Sequence, residues 1–204
     1  MKKLLLLFLF AIATVITSGA QVNELSDQDL QALKDREGEV IDMFQNNLNI
    51  LTSKKYSSKV KSVFMKSALK LFIGEGLPYD EPGTGTKYPG VQVQVISIIN
   101  DTESKRNIPL TTYLENLIKL PYAEVKLTAA DIYRIGNVYK VGDHYEANAT
   151  LFQRFEGYTG KDMKKKYVDV IQKNIRIYIV PENDLAQGVN WRVLLGNIGV
   201  VETQ

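Results

Sequence analysis

From Tyr122 to Val201 apolar and polar residues alternate through three or four long runs separated by short turns. A two-residue period sustained over that length restricts the chain to strands with one face turned to a core, and the short turns make those strands an antiparallel meander. Ala123, Val125, Leu127 and Ala129 share one face, with Glu124, Lys126 and Thr128 on the other. The apolar phase then slips, since Ile132 joins Tyr133 and Ile135, and a slip predicts a bulge. Gly142-Asp143 supplies a tight turn into a strand with Tyr145, Ala147, Ala149 and Leu151 on one face. A second slip separates Val168 and Val170 from Ile175, Ile177 and Ile179, which predicts another bulge near residues 172–174 and a bent strand. The last strand starts at Trp191 and runs to Val201, with Gly196 and Gly199 allowing a close approach.

Upstream the period changes to that of helices. Ser26 followed by Asp29 has the spacing of a capping box, and Leu30, Leu33, Val40, Ile41, Phe44, Leu48 and Leu51 form one stripe of a helix ending near Thr52. Ser57 or Ser58 caps a second helix with Val60, Val63, Phe64, Leu71 and Phe72 on its apolar side, ended by Gly74 and Gly76. Lys55, Lys59, Lys66 and Lys70 occupy its other side, a solvated face balanced by Asp35, Glu37, Glu39 and Asp42 of the first helix. Residues 74–90 read as one long Gly/Pro loop, of the kind that forms a lid or binding rim. Gly83-Thr84-Gly85-Thr86 within it lacks the Gly-Lys-Ser/Thr ending of a phosphate cradle. Val91 to Ile99 is a strand, residues 100–107 a polar loop, and Pro109 opens a short third helix through Tyr113, Leu114, Leu117 and Ile118 that Pro121 stops.

Met1 to Ala20 has the parts of a secretory leader: Lys2 and Lys3, an apolar run from Leu4 to Ile16, and small residues Ser18 and Ala20 before a cut at Gln21. That run is shorter than the roughly 20 residues of a spanning helix, so the expectation is a secreted or periplasmic protein without a stable membrane anchor. Removing the leader leaves 184 of 204 residues and takes two lysines but no acid, so the 25 basic residues fall to 23 and equal the 23 acidic ones. A net charge of zero is not the footprint of a nucleic-acid binder, which needs cations for phosphates. With no cysteine there is no disulfide framework, so the core alone holds the fold. At 45% hydrophobic and 24% charged, that length builds one domain over residues 21–204.

Helix, helix, strand, helix and a long meander led out by a Trp strand is the element order of the NTF2-like (SnoaL-like, cystatin-related) superfamily, which the chain resembles from Ser26 onward. Lys66 to Gly76, with Ser-Ala-Leu-Lys-Leu-Phe-Ile-Gly-Glu-Gly, is similar to a segment of exported bacterial proteins of uncharacterised function. The resemblance implies an α+β cone, in which three helices pack on the concave face of a strongly bent antiparallel sheet and leave a pocket at the open end. Ala123, Ala129, Ala147 and Ala149 on that face mean either a close helix or room for a ligand.

Some members of that superfamily are lyases and isomerases with an Asp or His in the cone, where burial turns a carboxylate into a general base. Asp131, beside the first slip, is the carboxylate in that position, and Asp131, Tyr133, Gln153 and Lys173 are the pocket candidates; Arg176 is a further polar residue on these strands. His144 follows Gly142-Asp143 and is expected at a turn edge in water. Asp131 has no evident acid or base partner, so no catalytic residue is assigned. One histidine and no cysteine leave no metal-ligand cluster, and no motif implies a cofactor. The expected function is therefore a non-catalytic exported module binding a small apolar ligand or a protein. A lyase, isomerase or hydrolase built on Asp131 and an envelope assembly component are the alternatives, and a homodimer through the sheet is a candidate arrangement.

Overall fold

The computed structural model describes residues 25–99, 102–129, 134–159, 162–184 and 188–201; the segment read as a leader and the site of the first expected bulge lie outside the described residues. Helix α1 (Asp27–Thr52) starts at the box read in the sequence, the Asp29 N–H donating to Ser26 Oγ at 3.2 Å and the Ser26 N–H to Asp29 Oδ2 at 3.0 Å. Its stripe is buried at Leu33, Val40, Ile41, Phe44, Leu48 and Leu51. Helix α2 (Ser58–Leu69) is capped by Ser57, and Lys61 and Ala68 are its buried residues, whereas Val63 is exposed. The helix stops before Leu71 and Phe72, which instead meet the sheet: the Leu195 N–H donates to the Leu71 carbonyl at 2.8 Å. Among the described residues no helix is long and apolar enough to cross a membrane.

The expected long loop holds a 3-10 turn (Ile73–Gly76) and a small hairpin, β1 (Tyr79–Asp80) with β2 (Lys87–Tyr88), whose tyrosine rings stack at 5.4 Å. Strand β3 (Gln92–Ile99) pairs in register with β4 (Thr102–Pro109), where a polar loop was expected. The sequence Thr-Glu-Ser-Lys-Arg-Asn forms a strand there because β4 is the sheet's edge, where polar and charged side chains are tolerated. Helix α3 (Leu110–Ile118) follows directly, with Pro109 as its N-cap.

The remaining strands are β5 (Glu124–Ala129), β6 (Arg134–Ile135), β7 (Tyr139–Val141), β8 (His144–Thr159), β9 (Lys164–Asp184) and β10 (Gly188–Val200). They assemble in the order β4-β3-β10-β9-β8-β5, with β6 and β7 also paired to β8. The fold is α+β, but the sheet is mixed rather than antiparallel, because β10 returns beside β3 and runs parallel to it at Ile198↔Val93. A parallel pair needs a long crossover, and here α3 and the whole meander form it.

The bulge expected on β9 near residues 172–174 is absent: its register with β8 is unbroken from Tyr145↔Ile179 to Gly157↔Tyr167. Val168 and Val170 are apolar residues on the solvent side, 43% and 45% exposed, so the phase slip records a change of environment along one strand. One extra residue lies in β10 instead, between Leu195 and Ile198. There Gly196 passes beneath Tyr178, where a Cβ would come within 2.7 Å of the ring, and Asn197 Oδ1 accepts the Gln92 N–H at 2.8 Å.

Strand alternation places two layers on the sheet. Tyr145, Ala147, Ala149 and Leu151 of β8 and Ile175, Ile177 and Ile179 of β9 are buried in the core with α1 and α3. The opposite face carries His144, Glu146 and Tyr178, all buried, and the β1–β2 hairpin reaches them.

Candidate functional site

On the helical face, at the end of the sheet away from the hairpin, β9 presents Tyr167, Asp169, Ile171 and Lys173 in a row toward α3 and the segment after it. Burial rises along this row, from Tyr167 at 44% exposed to Lys173 at 8%, so the row descends into the molecule. The space it borders is a pocket of about 260 Å³, just under the roughly 300 Å³ at which small-molecule sites begin. Leu117 and Leu120 form one wall, Leu127, Phe155 and Ile171 another, and Tyr122 closes over Phe155 with ring centroids 5.7 Å apart. Gly157 makes that closure geometrically feasible, because a Cβ there would stand 2.6 Å from the Tyr122 ring.

Two of the four candidate residues, Gln153 and Lys173, line this pocket; Asp131 and Tyr133 lie outside the described residues. Gln153 donates from Nε2 to Gln45 Oε1 at 3.1 Å, and Gln45 in turn donates to the Leu127 carbonyl at 3.1 Å. With Asn49 Oδ1 accepting the Leu127 N–H at 3.2 Å, α1 fills the backbone valences of the β5 edge and fixes the pocket wall. Lys173 Nζ donates to Tyr113 Oη at 3.3 Å and lies 5.2 Å from the centre of the same ring. It forms no ion pair among the described residues. Asp169 accepts the Tyr167 hydroxyl at 3.2 Å, four strand positions from Lys173, or about 13 Å at the usual rise. The sequence offered Lys173 as a polar candidate whose facing hung on the bulge expected near residues 172–174, and the unbroken register puts it in phase with Ile175, Ile177 and Ile179. Tyr113 carried no such signal, because a helix stripe reads alike whether it meets a core or a cavity.

The small residues Ala147 and Ala149 do not line the pocket; they are fully buried in the packed part of the sheet. The 74–90 segment does not border it either. It is clamped to the other face, where Arg176 makes a forked contact with Glu146 (Nε to Oε2 3.1 Å, Nη2 to Oε1 3.0 Å) and reaches Glu81 of the hairpin from Nη1 at 2.8 Å. The Tyr178 hydroxyl donates to Glu81 at 3.3 Å.

His144, expected in water at the turn, is fully buried in this cluster. Its Nε2 lies 3.1 Å from Glu146 Oε1 and its Nδ1 3.4 Å from Asp143 Oδ1. Burial pushes the Glu146 carboxyl up, but the hydrogen bonds from His144 and Arg176, the Arg176 charge and the Tyr139 hydroxyl outweigh it and hold the group below the usual range. None of the cavities described here borders the cluster, and its charged groups answer one another, so it clamps the hairpin. Glu37, counted in the sequence among the solvated acids of α1, is likewise fully buried.

A wider groove of about 550 Å³ runs between α1 and β10 past Leu33, Met43 and Trp191. Its arginines are already engaged, Arg36 with Glu39 at 3.2 Å and Arg192 with Glu75 at 3.4 Å, and no charged residue lining it is buried. Among the described residues no three His, Asp or Glu side chains converge as a metal site. The chain matches no protein-family model, and a search of curated proteins finds no match.

Proposed function

We propose that this chain is an exported, non-catalytic NTF2-like module that binds a small apolar ligand in the pocket between α3 and β9. The observation that carries this reading is a pocket of about 260 Å³ with aliphatic and aromatic walls and few polar groups, the composition of a binding site rather than of a reaction centre. Three helices, a sheet that holds the meander, and a cavity at one end of that sheet support the NTF2-like assignment. The leader-like residues 1–20 support export. No carboxylate among the described residues meets Lys173 in the pocket: Asp169 stands about 13 Å away along β9, and the group that Lys173 does meet is the Tyr113 hydroxyl at 3.3 Å.

Titration calorimetry with 1-octanol tests the reading. The wild-type protein should bind it, and Ile171→Trp, which fills the cavity from its β9 wall, should abolish binding while leaving the circular dichroism spectrum unchanged. Equal binding by the filled variant would move the site elsewhere. Turnover of an ester or enolisable ketone that disappears in Asp131→Asn would replace the binding reading with a catalytic one.

A further inference from the structure

We infer that the ligand of this pocket is an amphipathic monoanion, seated with its carboxylate against Lys173 and its apolar body toward the Tyr167 rim; the inference rests on the binding function proposed above. Lys173 as a residue is only 8% exposed, which shelters its side chain from water, and a buried cation is tolerated where a counter-charge or good acceptors replace the water. Among the described residues the groups on Lys173 are the Tyr113 hydroxyl oxygen at 3.3 Å and the same ring, its centre at 5.2 Å, both neutral. It is the buried cation of a cavity whose other walls are mainly aliphatic and aromatic. A carboxylate there supplies the missing charge. Tyr113, which accepts from Lys173, keeps its own hydroxyl hydrogen to donate to the second carboxylate oxygen.

The second charged residue of the pocket sets the orientation. Asp169 stands about 13 Å along β9, toward the rim, and repels an anion placed at that end. Between the two charges the wall is Ile171 and Phe155 faced by Leu117 and Leu120, a span that fits an unbranched acid of about eight carbons. A neutral ligand brings Lys173 no counter-charge. Among the described residues a cation finds its opposite charge in the pocket at Asp169, on the half-buried rim, where solvent screens it.

The test compares octanoate, 1-octanol and octylamine by calorimetry on the full chain, in the wild type and in Lys173→Met and Lys173→Arg. Octanoate should bind the wild type at least about tenfold more tightly than 1-octanol, with octylamine weakest, as a charge-assisted contact in a sheltered site implies. In Lys173→Met the advantage of octanoate over 1-octanol should vanish, and Lys173→Arg should retain the preference for the acid. Equal affinities for acid and alcohol in the wild type, or a preference for the acid that survives Lys173→Met, would overturn the anion assignment and leave the binding function standing. Failure of all three ligands to bind the wild type would overturn both. If Lys173→Met does not fold, the wild-type comparison of acid with alcohol still decides whether the site prefers an anion.

Discussion

Glu37 sits one helical turn from both Leu33 and Ile41 on the core stripe of α1, and neither of its carboxylate oxygens has a hydrogen-bond partner. Burial pushes its pKa from 4.5 up to about 7, with Lys34 pulling weakly the other way. The folded state therefore binds the proton more tightly than the unfolded chain. Stability from this group is greatest below pH 4.5, falls as pH rises toward about 7, and is level above that. Glu37→Gln keeps the shape and removes the titration. It should stabilise the protein at pH 8 by about 3 kcal/mol, at about 1.4 kcal/mol per pKa unit, and by almost nothing near pH 4. Urea denaturation at the two pH values measures the difference, and an equal effect at both would mean that folding does not shift the Glu37 pKa.

At the scale of elements, the β1–β2 hairpin is held mainly through one cation. Arg176 joins Glu146 of β8 to Glu81 of the hairpin, and removing it leaves Glu146, whose side chain is 4% exposed, without its counter-charge. Arg176→Met should cost about 2–4 kcal/mol, less than the full penalty of a broken buried pair because the guanidinium is 37% exposed. Amide exchange over Tyr79–Tyr88 should accelerate, while octanol affinity on the opposite face stays unchanged. The pH sign here is opposite to that of Glu37. Glu146 is held below its ordinary value of 4.5, so its contribution is present above that pH and is lost as pH falls through its folded value. Hairpin amides should thus lose protection in acid before the helices do.

For the molecule as a whole, α1 is the central strut, touching β5, β6, β10 and both other helices. Phe44 lies at its middle, 5% exposed and edge-on to Phe72 at 4.9 Å. Phe44→Ala should cost about 3–5 kcal/mol in denaturant melts, the range for a large aromatic removed from a packed core. A loss below about 1 kcal/mol would make the helix peripheral.

The sequence by itself determined the elements whose signal is local. The Ser26–Asp29 box, the stripe of α1 and the alternation of Tyr145 to Leu151 each reflect a period or a cap that neighbours in the chain define, and each stands where it was read. Lys173 was legible only as a polar candidate for the pocket, because the bulge expected near residues 172–174 left its facing open until the unbroken β8–β9 register fixed it. Only the tertiary structure decided what covers each face. Alternation puts His144 and Glu146 opposite the core, and nothing local says that a hairpin some sixty residues earlier in the chain will bury them. The same holds for β4, whose polar residues become a strand only because β3 offers an edge, and for the parallel seating of β10 on β3, which makes the sheet mixed. Pairing between distant segments is set by the free energy of the assembled layers, and a short stretch of sequence carries no record of its partner.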